Sequence, residues 1–442
     1  MFGKNFYLKD ILHIAAPIIM GNLGFIMIGV GDVIVAGKHS TDTLAAISLA
    51  TAILNCVMMF GIGILCSISA ILSNYRGANR EPEKYFYPAL KFASVLALIT
   101  SIVILASIPT IDYLGFEAKL VPYVKEYFFI TAFSTFGAFL HCMTKEYLQS
   151  FEIVVFPNLL TVFCIFVNIA LNILFVFGYG IIPSMGATGL AVASLITRYF
   201  MGIVLFFYCF KKVKIVHHKD KNFYFDLIKV GLPASLAVMI EFIGFNVITI
   251  IMGRISSIYA AAHNLVCTIT SVSFMIPLAI SNATSVKVGF TNGAKYYKSL
   301  KKYAKTGILA SVIFMSFSAM VFGLIPDRIV YLFTNDAELV KVCIPIVYTL
   351  CMFQVFDGLQ VSLAGVFKGL KQTKIVMTAN FIGYWLISLP LGSFFAFKLG
   401  LKLQGYWYGL LVSSVILCTI MLINLIGKLK KLKGNDECLT SL

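Results

Sequence analysis

The chain has 442 residues, 60% of them hydrophobic and only 12% charged, with a formal net charge of +16. A soluble globular domain carries about 25% charged residues, so that class is excluded. The surplus of Lys and Arg does not point to nucleic acid, because it is sorted by side of a membrane rather than gathered on one basic face.

A helix that crosses a bilayer needs about 20 mostly apolar residues. Stretches of that kind fall at 11–36, 45–73, 88–110, 121–142, 153–177, 187–210, 227–252, 258–287, 307–326, 342–366, 376–398 and 405–427. The fourth is interrupted by Lys125 and Glu126. The opening segment, MFGKNFYLKDILHIAAP, lacks a small-residue cleavage site and is expected to lead into an uncleaved first span. With loops assigned to alternate sides, one side receives about three times as many Lys and Arg as the other. Arg76, Arg80, Lys145, Lys211, Lys212, Lys219, Lys295, Lys301 and Lys428 fall on the rich side, while Lys91, Arg198 and Lys229 are assigned to helix ends. By the positive-inside rule both termini are expected in the cytoplasm.

The ten cysteines are scattered through apolar runs, with no CxxC and no Cys/His cluster. Neither a disulfide framework nor a zinc site is expected.

An internal repeat organises the chain. A shift of 216 lays Asp10 on Asp226, Pro17 on Pro233, Gly37 on Gly253, Ser69 on Ser285 and Gly77 on Gly293. A shift of about 219 lays Gly186 on Gly405. Two six-helix halves entering from the same side follow, related by an axis along the membrane normal. The expected divisions are an N-lobe over 1–210, a basic linker over 211–226, a C-lobe over 227–427 and a basic tail over 428–442. The fold class is therefore all-α integral membrane, with twelve transmembrane helices in two lobes.

Three carboxylates, Asp32, Glu241 and Asp357, interrupt apolar spans, where an ionisable group is expensive and usually functional. Glu241 lies twelve residues after Lys229, and Asp357 between Lys341 and Lys368, which puts both near the bilayer midplane at about 1.5 Å of rise per residue. Two carboxylates in one dry chamber resist ionising together, so the pair should hold a proton or share a cation. The repeat sets Glu241 on Phe25, Asp357 on Ala138 and Asp32 on Ile248, so the scaffold itself does not require these acids. Asp32 lies six residues before Lys38 and is either functional or an acid reaching the outer interface. Asn168 and Asn172 share a helix face at i, i+4 and would line a polar pocket or bond neighbouring helices. His263, near the start of the eighth span, reads as a helix-end residue rather than a proton relay. No nucleophile or metal constellation suggests an enzyme.

These segments resemble the multidrug and toxic compound extrusion (MATE) family, in its NorM-like branch. The likeness rests on LPASLAVMIEFIGFNVITIIMG (232–253), AAHNLVCTITSVSFMIPLAISNATSVKVGFTNGA (261–294) and FQVFDGLQVSLAGVFKGLKQTK (353–374), with GDVIVAG (31–37) in the first span. The resemblance implies two lobes about a central cleft and antiport of cationic amphiphilic compounds against inward Na+ or H+. It assigns cation coupling to Glu241, Asp357 and Asp32, with the first two as the site of Na+ where that is the coupling ion, and an N-lobe polar pocket to Asn168, Asn172 and Ser194. One turn before Asp357 the chain has Phe353, where some relatives carry a hydroxylated aromatic. The implied partners are small cationic substrates and the lipid bilayer, with no cofactor beyond the coupling ion, no nucleic acid, and a monomer as the working unit. A lipid-linked saccharide flippase, or an exporter of one specific metabolite, is the alternative.

Overall fold

The computed structural model describes residues 4–180, 182–217 and 220–439. His218 and Lys219 of the expected linker, and Thr440, Ser441 and Leu442 of the expected tail, lie outside the described residues. Among the described residues twelve helices are long and apolar enough to cross a membrane. They are α1 (Phe6–His39), α2 (Thr41–Gly77), α3 (Pro82–Tyr113), α4 (Val121–Ser150), α5 (Val155–Phe177), α6 (Gly186–Lys212), α7 (Asn222–Gly253), α8 (Ser257–Gly293), α9 (Tyr297–Leu324), α10 (Ala337–Gly369), α11 (Thr373–Lys398) and α12 (Lys402–Leu432). Helix is the form that satisfies each N–H and C=O within its own segment where no water can reach them.

Hydropathy finds the apolar middle of each helix but cuts its ends short. The fourth stretch runs on to Ser150, because Lys145 and Glu146 continue the helix after apolarity stops. Lys145, assigned to a loop by charge, is therefore a helical residue. Lys125 and Glu126 are accommodated by partners: Lys125 Nζ reaches Asp112 at 2.7 Å, and Glu126 accepts from Thr188 at 2.5 Å. One residue separates α1 from α2: the Ser40 hydroxyl accepts the Thr43 N–H at 3.0 Å, capping an otherwise orphaned donor.

Two compact units emerge, and neither is one contiguous stretch. One comprises Met1–Ala16, Ser73–Asn79 and Leu236–Leu442, here the C unit; the other comprises Pro17–Leu72 and Arg80–Ser235, here the N unit. α1 changes unit between Ala16 and Pro17. Its first turns are held within the C unit by side chains. Lys287 Nζ meets Asp10 Oδ2 at 2.9 Å, Tyr303 donates its hydroxyl to the same oxygen at 2.5 Å, and the Tyr7 and Tyr303 rings meet edge to face at 4.8 Å. The start of α7 belongs to the N unit, with Phe223 fully buried beside Tyr85 at 5.2 Å.

Close backbone approach sets two further positions. In the N unit α4 and α6 meet at Gly137, where a Cβ would lie 2.8 Å from the Tyr199 nitrogen. In the C unit the repeat-related Gly77 and Gly293 face each other's helices: a Cβ on Gly77 would lie 1.9 Å from the Phe290 carbonyl, and one on Gly293 1.9 Å from that of Asn74. Small residues allow helices in lipid to approach this closely.

Candidate functional site

Each unit holds a polar cluster within its apolar helices. In the C unit α7 supplies Glu241, α10 supplies Asp357 and Gln360, and α11 supplies Asn380 and Tyr384. Gln360 Nε2 donates to Glu241 Oε2 at 3.1 Å, and Asn380 Nδ2 reaches the same oxygen at 3.4 Å while also donating to the Ala237 carbonyl at 3.1 Å. Tyr384 donates to Gln360 Oε1 at 3.3 Å. Asp357, one turn before Gln360 on the same helix, is 4% exposed. Among the described residues no basic side chain forms an ion pair with either acid.

The winding of α11 explains this face. Residues Phe381–Ser388 are π-helical, with i→i+5 bonds. That wider turn brings Tyr384 and Trp385 together to the side that Asn380 occupies. Trp385 Nε1 donates to the Ile240 carbonyl at 3.2 Å, next to Glu241. Such π segments are frequent at functional sites.

Phe353, one turn before Asp357, gives the polar cluster an apolar flank. It is 1% exposed and packs edge to face on Phe245 and Trp407, with ring centroids at 6.3 and 5.7 Å. His263, expected at a helix end, is two turns into α8 and wholly buried among these rings, with Nε2 3.2 Å from the Phe245 carbonyl. The apolar surroundings recruited it to packing. The oxygens that could hold a cation here are the two carboxylates, the Gln360 and Asn380 side-chain carbonyls and the Tyr384 hydroxyl. Among the described residues, no three His, Cys, Asp or Glu gather to hold a metal ion.

In the N unit, Asn172 Nδ2 donates to Asp32 Oδ1 at 2.6 Å and to Asn168 Oδ1 at 3.0 Å. Asn168 Nδ2 reaches Thr197 Oγ1 at 3.4 Å, and Thr197 returns its proton to the Ala193 carbonyl at 2.8 Å. Both asparagines are fully buried, and Asp32 is half-buried. Ser194 is buried on α6 one turn before Thr197, which makes the recorded link to Asn168. Arg198, assigned from the sequence to a helix end, is the thirteenth of the 27 residues of α6, near its middle. Its Nη1 donates to Ser134 Oγ at 2.7 Å. The assignment went wrong because it followed charge rather than depth along the span.

Sequence reasoning picked out the acids and asparagines but missed Gln360, Asn380, Tyr384, Thr197 and Arg198. Spacing held a signal for three of these: Gln360 follows Asp357 at i+3, and Asn380 and Tyr384 stand at i, i+4 in one span.

The MatE family matches residues 17–174 and 233–394. The probable multidrug resistance protein NorM of Bacillus subtilis is 26% identical over 420 residues, covering 91% of this chain and 92% of that protein. The multidrug resistance protein NorM of Vibrio vulnificus is 27% identical over 425 residues, with 91% and 92% covered. Among solved structures, a eukaryotic MATE transporter superimposes with a TM-score of 0.87 at 18% identity, over 98% of this chain and 100% of that one. A MOP superfamily transporter from Pyrococcus furiosus gives 0.89 at 18% identity, over 97% of each. At that identity these structures speak to the fold.

Proposed function

The chain belongs to the MatE family, and we propose on that premise that it is a multidrug efflux transporter of the bacterial inner membrane. In this reading it exports cationic, amphiphilic compounds by alternating access, as a secondary active antiporter driven by inward Na+ or H+, with both termini cytoplasmic. The names of the NorM relatives support the efflux reading. The observation that supports the coupling is that Glu241 is held by Gln360, one turn from Asp357 on the same helix, in a cluster whose other polar groups are neutral.

Two acids without a counter-charge attract any cation that fits, whether coupling ion or drug. Neutralising them with an ion lowers the cluster's affinity for a positive drug, and the drug in place disfavours the ion. Antiport needs this reciprocity, because a ligand with equal affinity for both states shifts nothing. Gln360, Asn380 and Tyr384 hold Glu241 oriented between loadings. The Asp32 cluster, with Asn168, Asn172 and Ser194, is the polar site of the other unit.

The test is efflux of a cationic dye from proteoliposomes under separately imposed Na+ and proton gradients. Glu241→Gln and Asp357→Asn should each abolish gradient-driven export while folding is kept, since a neutral amide costs less to bury than a carboxylate. Wild-type export by either variant, at equal protein content, would remove that residue from the coupling scheme.

A further inference from the structure

Within the N unit a groove of about 480 Å³ opens between α3 and α6, with α4 as its floor. Leu90 and Ser94 of α3, Leu140 of α4 and Ile203 and Phe207 of α6 are among its walls. Ligand pockets typically hold about 300–1,000 Å³, so the space is large enough for part of a molecule. Around it the two helices expose Leu98, Ile99 and Phe200, side chains suited to contact with lipid tails. Tyr199 brings a hydroxyl to the lining but donates it to the Phe133 carbonyl at 3.1 Å. The interior therefore suits a hydrocarbon rather than a polar guest.

The groove is built into the packing. α6 lies backbone to backbone on α4, where a Cβ on Gly202 would stand 3.0 Å from the Gly137 carbonyl oxygen. Ser101 of α3 and Thr135 of α4 bring their hydroxyls to 2.8 Å. At the other end Phe86 of α3 meets Phe206 and Phe210 of α6, with ring centroids at 5.7 and 5.4 Å. Just past α6, the Val216 N–H donates to the Glu83 carbonyl at 3.3 Å, so the end of α6 lies beside the start of α3. Two lysines continue the lips of the groove toward this end. Lys91 stands three residues before Ser94 on α3, and Lys211 four residues after Phe207 on α6, so each shares a helix face with a wall residue. Both are exposed, and among the described residues neither forms an ion pair.

We propose that this groove holds one anionic phospholipid, with an acyl chain along Leu140, Ile203 and Phe207 and the phosphate between Lys91 and Lys211. A lysine stem lies along apolar surface and carries its ammonium to the level of the headgroups. The two ammoniums then stand at the one end of an apolar slot where a lipid in that leaflet presents its charge. A zwitterionic lipid can fill the slot, but its own positive group offsets what the lysines offer. The same two charges repel the cationic compounds proposed for export, so the groove is a lipid site rather than an entrance for them.

The experiment titrates the full-length protein in detergent with dioleoylphosphatidylglycerol or dioleoylphosphatidylcholine and counts bound lipid by native mass spectrometry. The wild type should take up its first phosphatidylglycerol about ten-fold more tightly than its first phosphatidylcholine, as two lysines beside one phosphate would give. Lys91→Gln with Lys211→Gln should bring the two lipids to within about two-fold of each other. Lys298→Gln with Lys301→Gln, in the basic cluster of the other unit, should keep the preference. Ser94→Trp fills the groove and leaves both lysines in place, and it should bring phosphatidylglycerol down to the affinity of phosphatidylcholine. Equal affinities in the wild type, or a preference kept by the Lys91 and Lys211 variant, would overturn the proposal. A preference lost equally in both lysine variants would show general surface charge and overturn it too, as would wild-type uptake by Ser94→Trp. If Ser94→Trp does not fold, the variant of the exposed Lys91 and Lys211 still decides.

Discussion

Tyr384 donates its hydroxyl to Gln360 Oε1 at 3.3 Å, while the nitrogen of the same amide reaches Glu241 at 3.1 Å. One carboxamide thus links the π-wound segment of α11 to the acid of α7. Its orientation is fixed at the Glu241 end, since a reversed amide would set the Gln360 oxygen against the carboxylate, acceptor to acceptor.

Tyr384→Phe removes the hydroxyl and keeps the ring. A neutral hydrogen bond contributes about 1 kcal/mol, so export should fall by about five-fold with melting little changed. Gln360→Ala is expected to be more severe, because it strips Glu241 of a donor and opens a void in α10. Dye efflux and thermal melting of the two variants, measured side by side, check the order. Equal export by Tyr384→Phe and wild type would show that the hydroxyl does not position Glu241 through Gln360.

The helices and the acids were legible for the same reason: a bilayer tolerates long apolar runs and few charges, so both stand out in composition. The neutral partners did not stand out. Ser, Thr and Asn are common in these spans, and many bond only to their own helix, as Thr268 and Ser271 do with Asn264 and Cys267. Residue type therefore could not separate Thr197 from them. The i, i+4 spacing sets Tyr384 on the face of Asn380, but the π winding of that segment is announced by no spacing rule. The partner of Asp10 lies on α8, far along the chain, and no local pattern connects the two.

The link between Asp10 and Lys287 is strong enough to test. The side chains are 25% and 10% exposed, so the pair is largely withdrawn from water without being fully desolvated. Breaking a buried pair costs about 3–5 kcal/mol, and the partial exposure here brings the expectation down to about 2 kcal/mol. Asp10→Asn should lower Tm accordingly, with Lys287 left beside a neutral amide. Combining it with Lys287→Met should recover most of the loss, because the charge that faced Asp10 is then gone as well. The repeat places Ile71 opposite Lys287, so this latch belongs to one half alone. A double variant no more stable than Asp10→Asn would count against the ion pair as what holds the start of α1.

The crossing at Gly77 and Gly293 makes a sharper demand. A methyl group on either would stand 1.9 Å from a backbone carbonyl of the facing helix, and a backbone cannot swing aside as a side chain can. The helix ends must then part, losing contacts along the whole crossing. Overpacking of this kind costs about 1–3 kcal/mol, and Gly77→Ala should show that loss as lower Tm and reduced folded yield. Gly29 in α1 is the control, since a Cβ there meets nothing within 4 Å. Gly29→Ala should leave stability equal or raise it by up to about 1 kcal/mol, the helix propensity gained on replacing glycine. The contrast between the two substitutions separates close approach from the general effect of adding a methyl to a helix. If Gly77→Ala melts like Gly29→Ala, the two helix ends are not packed backbone to backbone.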